Sequence, residues 1–386
     1  MYPRLSDLIN GLLGTHIVLP FQTYGFFMAM AFILGGWILF LELKRKEKEN
    51  IIHKITKKRV KGKPASAAEL ILNAVIGFIA GYKIIGALLD YSYFSAHPQK
   101  YFFSSDGSWP GGILLGAAIT LFIYFSKKKK KADSPATVTE LISPKHLTGN
   151  IILVAAVSGI IGSKIFDVIE HLDLLVQDPI HTLFSFSGLA FYGGLITAAF
   201  VVSYYVEKNG IPWAVNADAI APALMLAYGI GRIGCQMSGD GCWGVANLNP
   251  KPEWLSFLPG WMWAFNYPHN VINQGILIPG CVGMNCRMLE QPVYPTPFYE
   301  TVMALILFTV LWFIRKKIRI HGYLFSLYLI FNGTERLLIE QLRVNIRYQI
   351  LGLEVTQAII IAIGLIITGI AGLFYFRIYY KPNLVK

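Results

Sequence analysis

Residues 214–235 read AVNADAIAPALMLAYGIGRIGC, a run with one carboxylate, Asp218, and one guanidinium, Arg232, among otherwise uncharged residues. An α-helix rises roughly 1.5 Å per residue, so such a run crosses the roughly 30 Å hydrocarbon core of a bilayer. Eight more apolar segments fall at 20–42, 68–90, 111–126, 149–170, 188–206, 297–315, 321–341 and 355–379. Composition agrees: the 386 residues are 54% hydrophobic and 15% charged, where a soluble domain carries about 25% charge. A water-soluble globule and a disordered chain are both excluded. The reading is an all-α polytopic membrane protein, one membrane domain over 1–386 with about nine transmembrane helices.

Orientation follows from where the cations lie. The net charge is +12, and 24 of the 34 lysines and arginines fall in 43–67, 127–148, 207–213, 315–320 and 377–386. The alternate loops hold six, which places the N-terminus outside and the C-terminus in the cytoplasm. The run Lys127 to Lys131 then reads as a topology determinant rather than a nucleic-acid surface. The first apolar run lacks a basic leader and a small-residue cleavage site, so it reads as a retained span.

All four cysteines, Cys235, Cys242, Cys281 and Cys286, flank or lie in the long loop over 236–296, an expected extracytoplasmic cap. One or two disulfides are favoured in an oxidising compartment, with a four-thiolate zinc site as the rival and free thiols a third outcome.

The sequence also repeats itself. At an offset of 81, Gly81, Lys83, Ile84, Pro98, Phe103, Ser104 and Gly107 meet Gly162, Lys164, Ile165, Pro179, Phe184, Ser185 and Gly188. After one extra residue, Gly111-Gly112 meets Gly193-Gly194. Residues 68–126 thus read as an inserted duplicate of 149–206, and two spans per copy make the copies parallel. The paired glycines allow close approach of a neighbouring helix or of a ligand.

Charges inside spans mark the candidate site. Arg336, Glu340 and Arg343 are spaced to share one helical face near the outer end of the eighth span, and Arg232 lies near the outer end of the sixth. Guanidinium in hydrocarbon costs several kcal/mol on the order of insertion scales, so it faces a cavity or a partner. Two at one depth suit an anion, because guanidinium stays protonated and binds phosphate bidentately. Arg336 paired with Glu340 as a simple tie between helices is the alternative.

These residues resemble the prolipoprotein diacylglyceryl transferases. Asp218-Ala-Ile-Ala-Pro222 followed by Gly231-Arg-Ile-Gly234 is similar to the family's D-x-x-A-P…G-R-x-G core. Four more pieces fall in the family's order: Tyr24-Gly25, Phe191-Tyr-Gly-Gly-Leu195, Tyr294-Pro-Thr-Pro-Phe-Tyr-Glu300 and Arg336…Glu340…Arg343, with Gln357 echoing a last-span glutamine. The family is built on seven spans with the N-terminus outside, and the duplicate accounts for the additional two.

The resemblance implies transfer of the diacylglyceryl group of phosphatidylglycerol to the lipobox cysteine of a prolipoprotein, forming a thioether and releasing glycerol phosphate. It implies a bacterial inner-membrane enzyme working toward the outer leaflet, among membrane lipids, with no nucleic acid, metal or cofactor. Arg232 and Arg336 would hold the phosphate, and Glu340 would orient Arg336 or bind glycerol hydroxyls. Tyr24, Gly193, Gly194, Asp240, Arg343, Tyr299 and Glu300 would complete the substrate site.

Some positions depart from the family. Its histidine before the glycine pair is Tyr192 here, and two asparagines are replaced by Cys235 and Ser238. Tyrosine ionises near pH 10, so Tyr192 suits hydrogen bonding to the phosphate better than taking a proton. Asp240, Glu340, His181 and His269 are the other candidate bases. A binding protein without turnover is the second functional reading, and a lipid or anion transporter the third.

Overall fold

The computed structural model describes residues 1–61, 64–96, 98–129, 136–179, 182, 190–345, 347–350 and 353–379. Among the described residues a short helix α1 (Leu5–Leu13) precedes nine long ones. These are α2 (Thr23–Lys48), α3 (Ala67–Leu89), α4 (Trp109–Lys129), α5 (Thr148–Glu170), α6 (Phe191–Lys208), α7 (Trp213–Ser238), α8 (Thr296–Ile314), α9 (Tyr323–Glu340) and α10 (Gln357–Tyr379). Each expected segment therefore contains a helix. Helices α2 and α4 run beyond their apolar stretches into lysines and arginines, which complement the negative end of a helix.

Seven of the nine are long and apolar enough to cross a membrane; α6 and α9 fall short of that measure. The physical reason in α9 is plain, because it carries Glu335, Arg336 and Glu340. The class is mostly helical rather than all-α. The described residues form three small sheets: β1 (Ile55–Lys61) with β2 (Ala136–Ile142), β3 (Ile276–Leu277) with β4 (Arg287–Met288), and β5 (Arg347–Ile350) with β6 (Leu353–Thr356). In the last, Arg347 stands opposite Thr356. Such short strands leave no mark on a search for 20-residue apolar runs.

The chain forms two compact units, one of Met1, Phe27–Ile55 and Ser143–Lys386, the other of Tyr2–Phe26 and Thr56–Ile142. In the second unit α3 packs on α4. A Cβ at Gly81 would fall on the Gly111 carbonyl oxygen, one at Gly111 would lie 2.6 Å from Ile85 Cβ, and one at Gly112 would lie 2.8 Å from the Phe78 ring.

In the larger unit α5 packs on α6 through the matching positions. A Cβ at Gly162 would lie 2.8 Å from Gly193 O, one at Gly193 would fall on Phe166, and one at Gly194 would lie 2.7 Å from Gly159 O. Phe78 and Ile85 stand 81 residues before Gly159 and Phe166. The two helix pairs thus cross at equivalent residues. Gly193 and Gly194 accordingly meet a neighbouring helix, the first of the two uses expected for them.

The rest of the larger unit surrounds α7, whose buried face includes Val215, Ala219, Ala221, Met225 and Ile230. Leu39, Leu43, Ile151, Val202 and Val206 pack on one part of it, and Ala304, Leu311 and Leu324 on another. Asp218 accepts the backbone N–H groups of Gly322 (2.8 Å) and Phe325 (2.9 Å), capping α9. Outward-facing side chains such as Ile33 and Trp37 of α2 and Ile367 and Phe374 of α10 are exposed and apolar. Those are the surfaces a lipid solvent covers.

Candidate active site

The ends of α7, α8 and α9 bring three arginines onto one carboxylate. Glu300, fully buried near the start of α8, has Oε2 3.2 Å from Arg232 Nε. Its Oε1 lies 3.4 Å from Arg336 Nη1 and 3.2 Å from Arg343 Nη1. Glu340 adds a second support, with Oε2 2.9 Å from Arg336 Nη2.

Exposure decides what this cluster presents. The side chains of Arg232, Arg336 and Arg343 keep 18, 19 and 12% of their surface, whereas Glu300 and Glu340 keep 0 and 1%. The carboxylates lie behind and the guanidiniums in front. An arriving group therefore meets cationic hydrogen-bond donors that are already oriented, the arrangement that recognises phosphate.

Local structure sets each position. Cys242 O accepts from Thr296 Oγ1 at 2.7 Å, tying the start of α8 to the chain leaving α7. Glu340 Oε1 accepts from Asn345 Nδ2 and Thr356 Oγ1, both at 2.6 Å. That oxygen is engaged within the protein, so Glu340 orients Arg336. Arg343 does not share a helical face with Glu340, because α9 ends at Glu340. It stands in the following turn, where Leu342 O accepts the Val245 N–H at 2.7 Å and Gly244 bridges to Arg343. Burial works against the Arg343 charge, but Glu300 and Cys242 together outweigh it and the pKa ends above the ordinary value.

Two site residues escaped the sequence reading. The Tyr228 hydroxyl lies 3.3 Å from Glu300 Oε1 and 3.3 Å from each oxygen of Glu335, which is itself buried. The Tyr228 ring also carries the Arg232 guanidinium 5.2 Å from its centroid. Tyr228 stands one helical turn before Arg232, a spacing that would have identified it.

The remaining expected residues divide. Asp240 Oδ1 accepts the Cys242 N–H at 3.2 Å, and Cys235, Asp240 and Cys242 place their ligating atoms within 4.8 Å of one another. Arg232 Nη1 is 3.9 Å from Cys235 Sγ, and Arg343 faces Cys242. Cys235 and Cys242 are free thiols, whereas Cys281 and Cys286 form a disulfide with Cα atoms 5.6 Å apart. That pairing removes the four-thiolate zinc alternative. A hydrogen bond from the neighbouring Cys235 holds the Cys242 thiol below its usual range, at about 7, against the effect of burial.

Tyr299 lies apart from the arginines in its own bond, donating to Met262 O at 2.8 Å and fastening the cap to α8. His269 Nδ1 lies 2.8 Å from Asn285 O, inside the cap. Tyr192 sits half-buried in the first turn of α6, and Tyr24 is exposed at the start of α2. His181 lies outside the described residues. The cap itself closes over Trp243, Tyr267, Leu289 and Val293, and the buried Tyr267 hydroxyl donates to Gln236 Oε1 at 2.7 Å.

A sequence profile for prolipoprotein diacylglyceryl transferases matches residues 13–152 and, separately, 112–375. Among curated proteins, a phosphatidylglycerol–prolipoprotein diacylglyceryl transferase of Leptospira interrogans is 28% identical over 228 residues, 53% of this chain and 64% of that protein. The transferase so named from Corynebacterium diphtheriae is 27% identical over 222 residues, covering 56% of this chain and 74% of its own. That from Staphylococcus haemolyticus is 30% identical over 240 residues, covering 61% and 76%. The chain thus spans slightly under two thirds of the Leptospira relative.

Proposed function

We propose, from the premise that the chain belongs to the prolipoprotein diacylglyceryl transferase family, that it moves the diacylglyceryl group of phosphatidylglycerol onto the lipobox cysteine of prolipoproteins. The observation that carries this reading is the set of three partly exposed guanidiniums held from behind by buried Glu300 and Glu340. In the reaction the thiol sulfur forms a bond to the glycerol carbon as the carbon–oxygen bond to phosphate breaks. The departing glycerol phosphate carries negative charge, and preoriented donors lower the barrier where that charge develops. Arg232, Arg336 and Arg343 supply those donors. The thiol must lose its proton to attack, and Tyr192, in place of the family's histidine, orients the phosphate rather than taking that proton.

The same reading makes all nine long helices spans, with the N-terminus outside, the C-terminus in the cytoplasm and the arginines toward the outer leaflet of a bacterial inner membrane. The cation asymmetry of the loops supports it. Helix α9 crosses because Glu335, Arg336 and Glu340 are turned to neighbours, and α6 because its charges, Glu207 and Lys208, lie at its end. Residues 68–126 are an inserted copy of 149–206, which the equivalent glycine contacts of the two helix pairs support.

The test is an assay of purified protein with phosphatidylglycerol and a lipobox peptide, read by mass spectrometry. A diacylglyceryl adduct made by wild type and lost in Arg232→Ala and Arg336→Ala is the expected result. Tyr192→Phe measures what the hydroxyl contributes. Tyr192 also favours a second reading, a phospholipid-binding protein without turnover. Retained lipid binding with no adduct, beside an active family enzyme, would establish that instead.

A further inference from the structure

Cys235 closes the last turn of α7, and Cys242 follows after a turn through Gly239 and Gly241, both in left-handed conformation. Their sulfurs lie within 4.8 Å of each other, and each faces a guanidinium of the site: Cys235 faces Arg232 and Cys242 faces Arg343. The same cap holds a disulfide already, Cys281–Cys286. We propose that Cys235 and Cys242 are a redox pair, and that their disulfide is the working state of the phosphate site.

Charge argues for this over a metal centre. Two permanently protonated guanidiniums beside the sulfurs oppose a divalent cation, but they favour thiolate, the form that attacks a disulfide. The low thiol pKa of Cys242 makes it the attacking member. Its thiolate attacks the disulfide of a thiol oxidant, releasing one oxidant sulfur as a thiol. Cys235 then gives up its proton and attacks Cys242 Sγ, expelling the second oxidant sulfur. Two cysteine thiols become one disulfide, and one oxidant disulfide becomes two thiols.

The consequence falls on the arginines. A Cys242 thiolate is a charged acceptor that competes with phosphate for Arg343, whereas the protonated Cys235 sulfur is only a weak, neutral contact of Arg232. A disulfide is neutral and a poor acceptor, so oxidation removes the competing charge and leaves Arg343, beside Arg232, to the phosphate of an incoming lipid. Formation of the bond and its effect on lipid binding are independent of the transferase reading, whereas any effect on turnover rests on it.

The test begins with protein purified without reductant, alkylated with N-ethylmaleimide and mapped by mass spectrometry. The expected finding is a Cys235–Cys242 crosslinked peptide. Mild reduction should weaken binding of phosphatidylglycerol vesicles about ten-fold, roughly one charge-assisted hydrogen bond. The Cys281→Ser/Cys286→Ser protein should keep that response. Cys235→Ala/Cys242→Ala should bind as the oxidised protein does and ignore reductant. Free thiols that persist in oxidised glutathione would overturn the proposal. So would one zinc per chain released on blocking the pair, or an unchanged reductant response in the double alanine variant. If the crosslink and the binding response appear without any adduct, the transferase reading fails and this one stands.

Discussion

Arg336 Nη2 stands 2.9 Å from Glu340 Oε2, one helical turn further along α9, and the other Glu340 oxygen is held by Asn345 and Thr356. The guanidinium is thus aimed by a carboxylate that is itself anchored to the chain beyond the helix. Glu340→Ala leaves a mostly buried cation with one partner fewer, at a cost of about 3 kcal/mol. Glu340→Gln keeps hydrogen bonding and should cost less. Chemical denaturation in detergent checks the order; equal losses would show that the charge is immaterial to Arg336.

Arg343 reaches Glu300 from a turn rather than from a helix, with a flat guanidinium that lysine does not reproduce. Arg343→Lys should raise KM for phosphatidylglycerol about ten-fold. Thermal stability should change little beside that of Glu340→Ala. A kinetic titration with lipid in mixed micelles reads it, and an unchanged KM would remove Arg343 from the headgroup site.

The glycine contacts predict a graded packing series. Gly162→Val drives a side chain into Thr197 and Gly193, and Gly81→Val does the same to Gly111 and Leu115. Each should destabilise by about 1–3 kcal/mol or more, the range for overpacking. Gly149→Ala, with open space around it, should be tolerated. Melting temperatures of the three variants in one detergent decide the matter.

Cys242 should alkylate with a midpoint near pH 7, where an ordinary thiol needs about 8.5. The sign is set by the thiolate: reactivity is low below the midpoint and rises as pH passes through it. Cys235→Ala removes the hydrogen bond chiefly responsible, so the midpoint should move upward. Iodoacetamide rates on pre-reduced protein give both curves.

Asp218 bonds two amides at the start of α9. Asp218→Ala should cost about 2 kcal/mol, the upper end for a helix cap, with Asp218→Asn milder because one oxygen acceptor remains. Hydrogen exchange at Gly322 and Phe325 should rise in the alanine variant before any global unfolding.

Much of this architecture was legible because a bilayer imposes a length on each helix. All nine long helices lie where apolar runs place them, and even the polar α9 could be located from its first half. Arg232, Arg336 and Glu340 stand out as ionised groups in such runs, and Glu300 was legible as the end of the family-like motif Tyr294–Glu300. Glu335 adjoins Arg336 in the chain, yet nothing in its sequence neighbourhood shows that it meets Tyr228 from another helix. The Thr356 bond to Glu340 likewise depends on how the β5–β6 hairpin folds back. Spacing reveals partners along one helix, while partners across helices follow from packing.

Glu300 also has a consequence for biosynthesis. Ribosomes deliver α7 before α8, so Arg232 reaches the membrane ahead of the carboxylate that neutralises it. Until α8 arrives the guanidinium has no Glu300, and until α9 arrives Glu300 lacks Arg336 and Arg343. On the proposed reading, in which α9 is also a span, the three helices are released into lipid as a group, and a nascent chain halted between α7 and α8 should be retained at the insertion machinery.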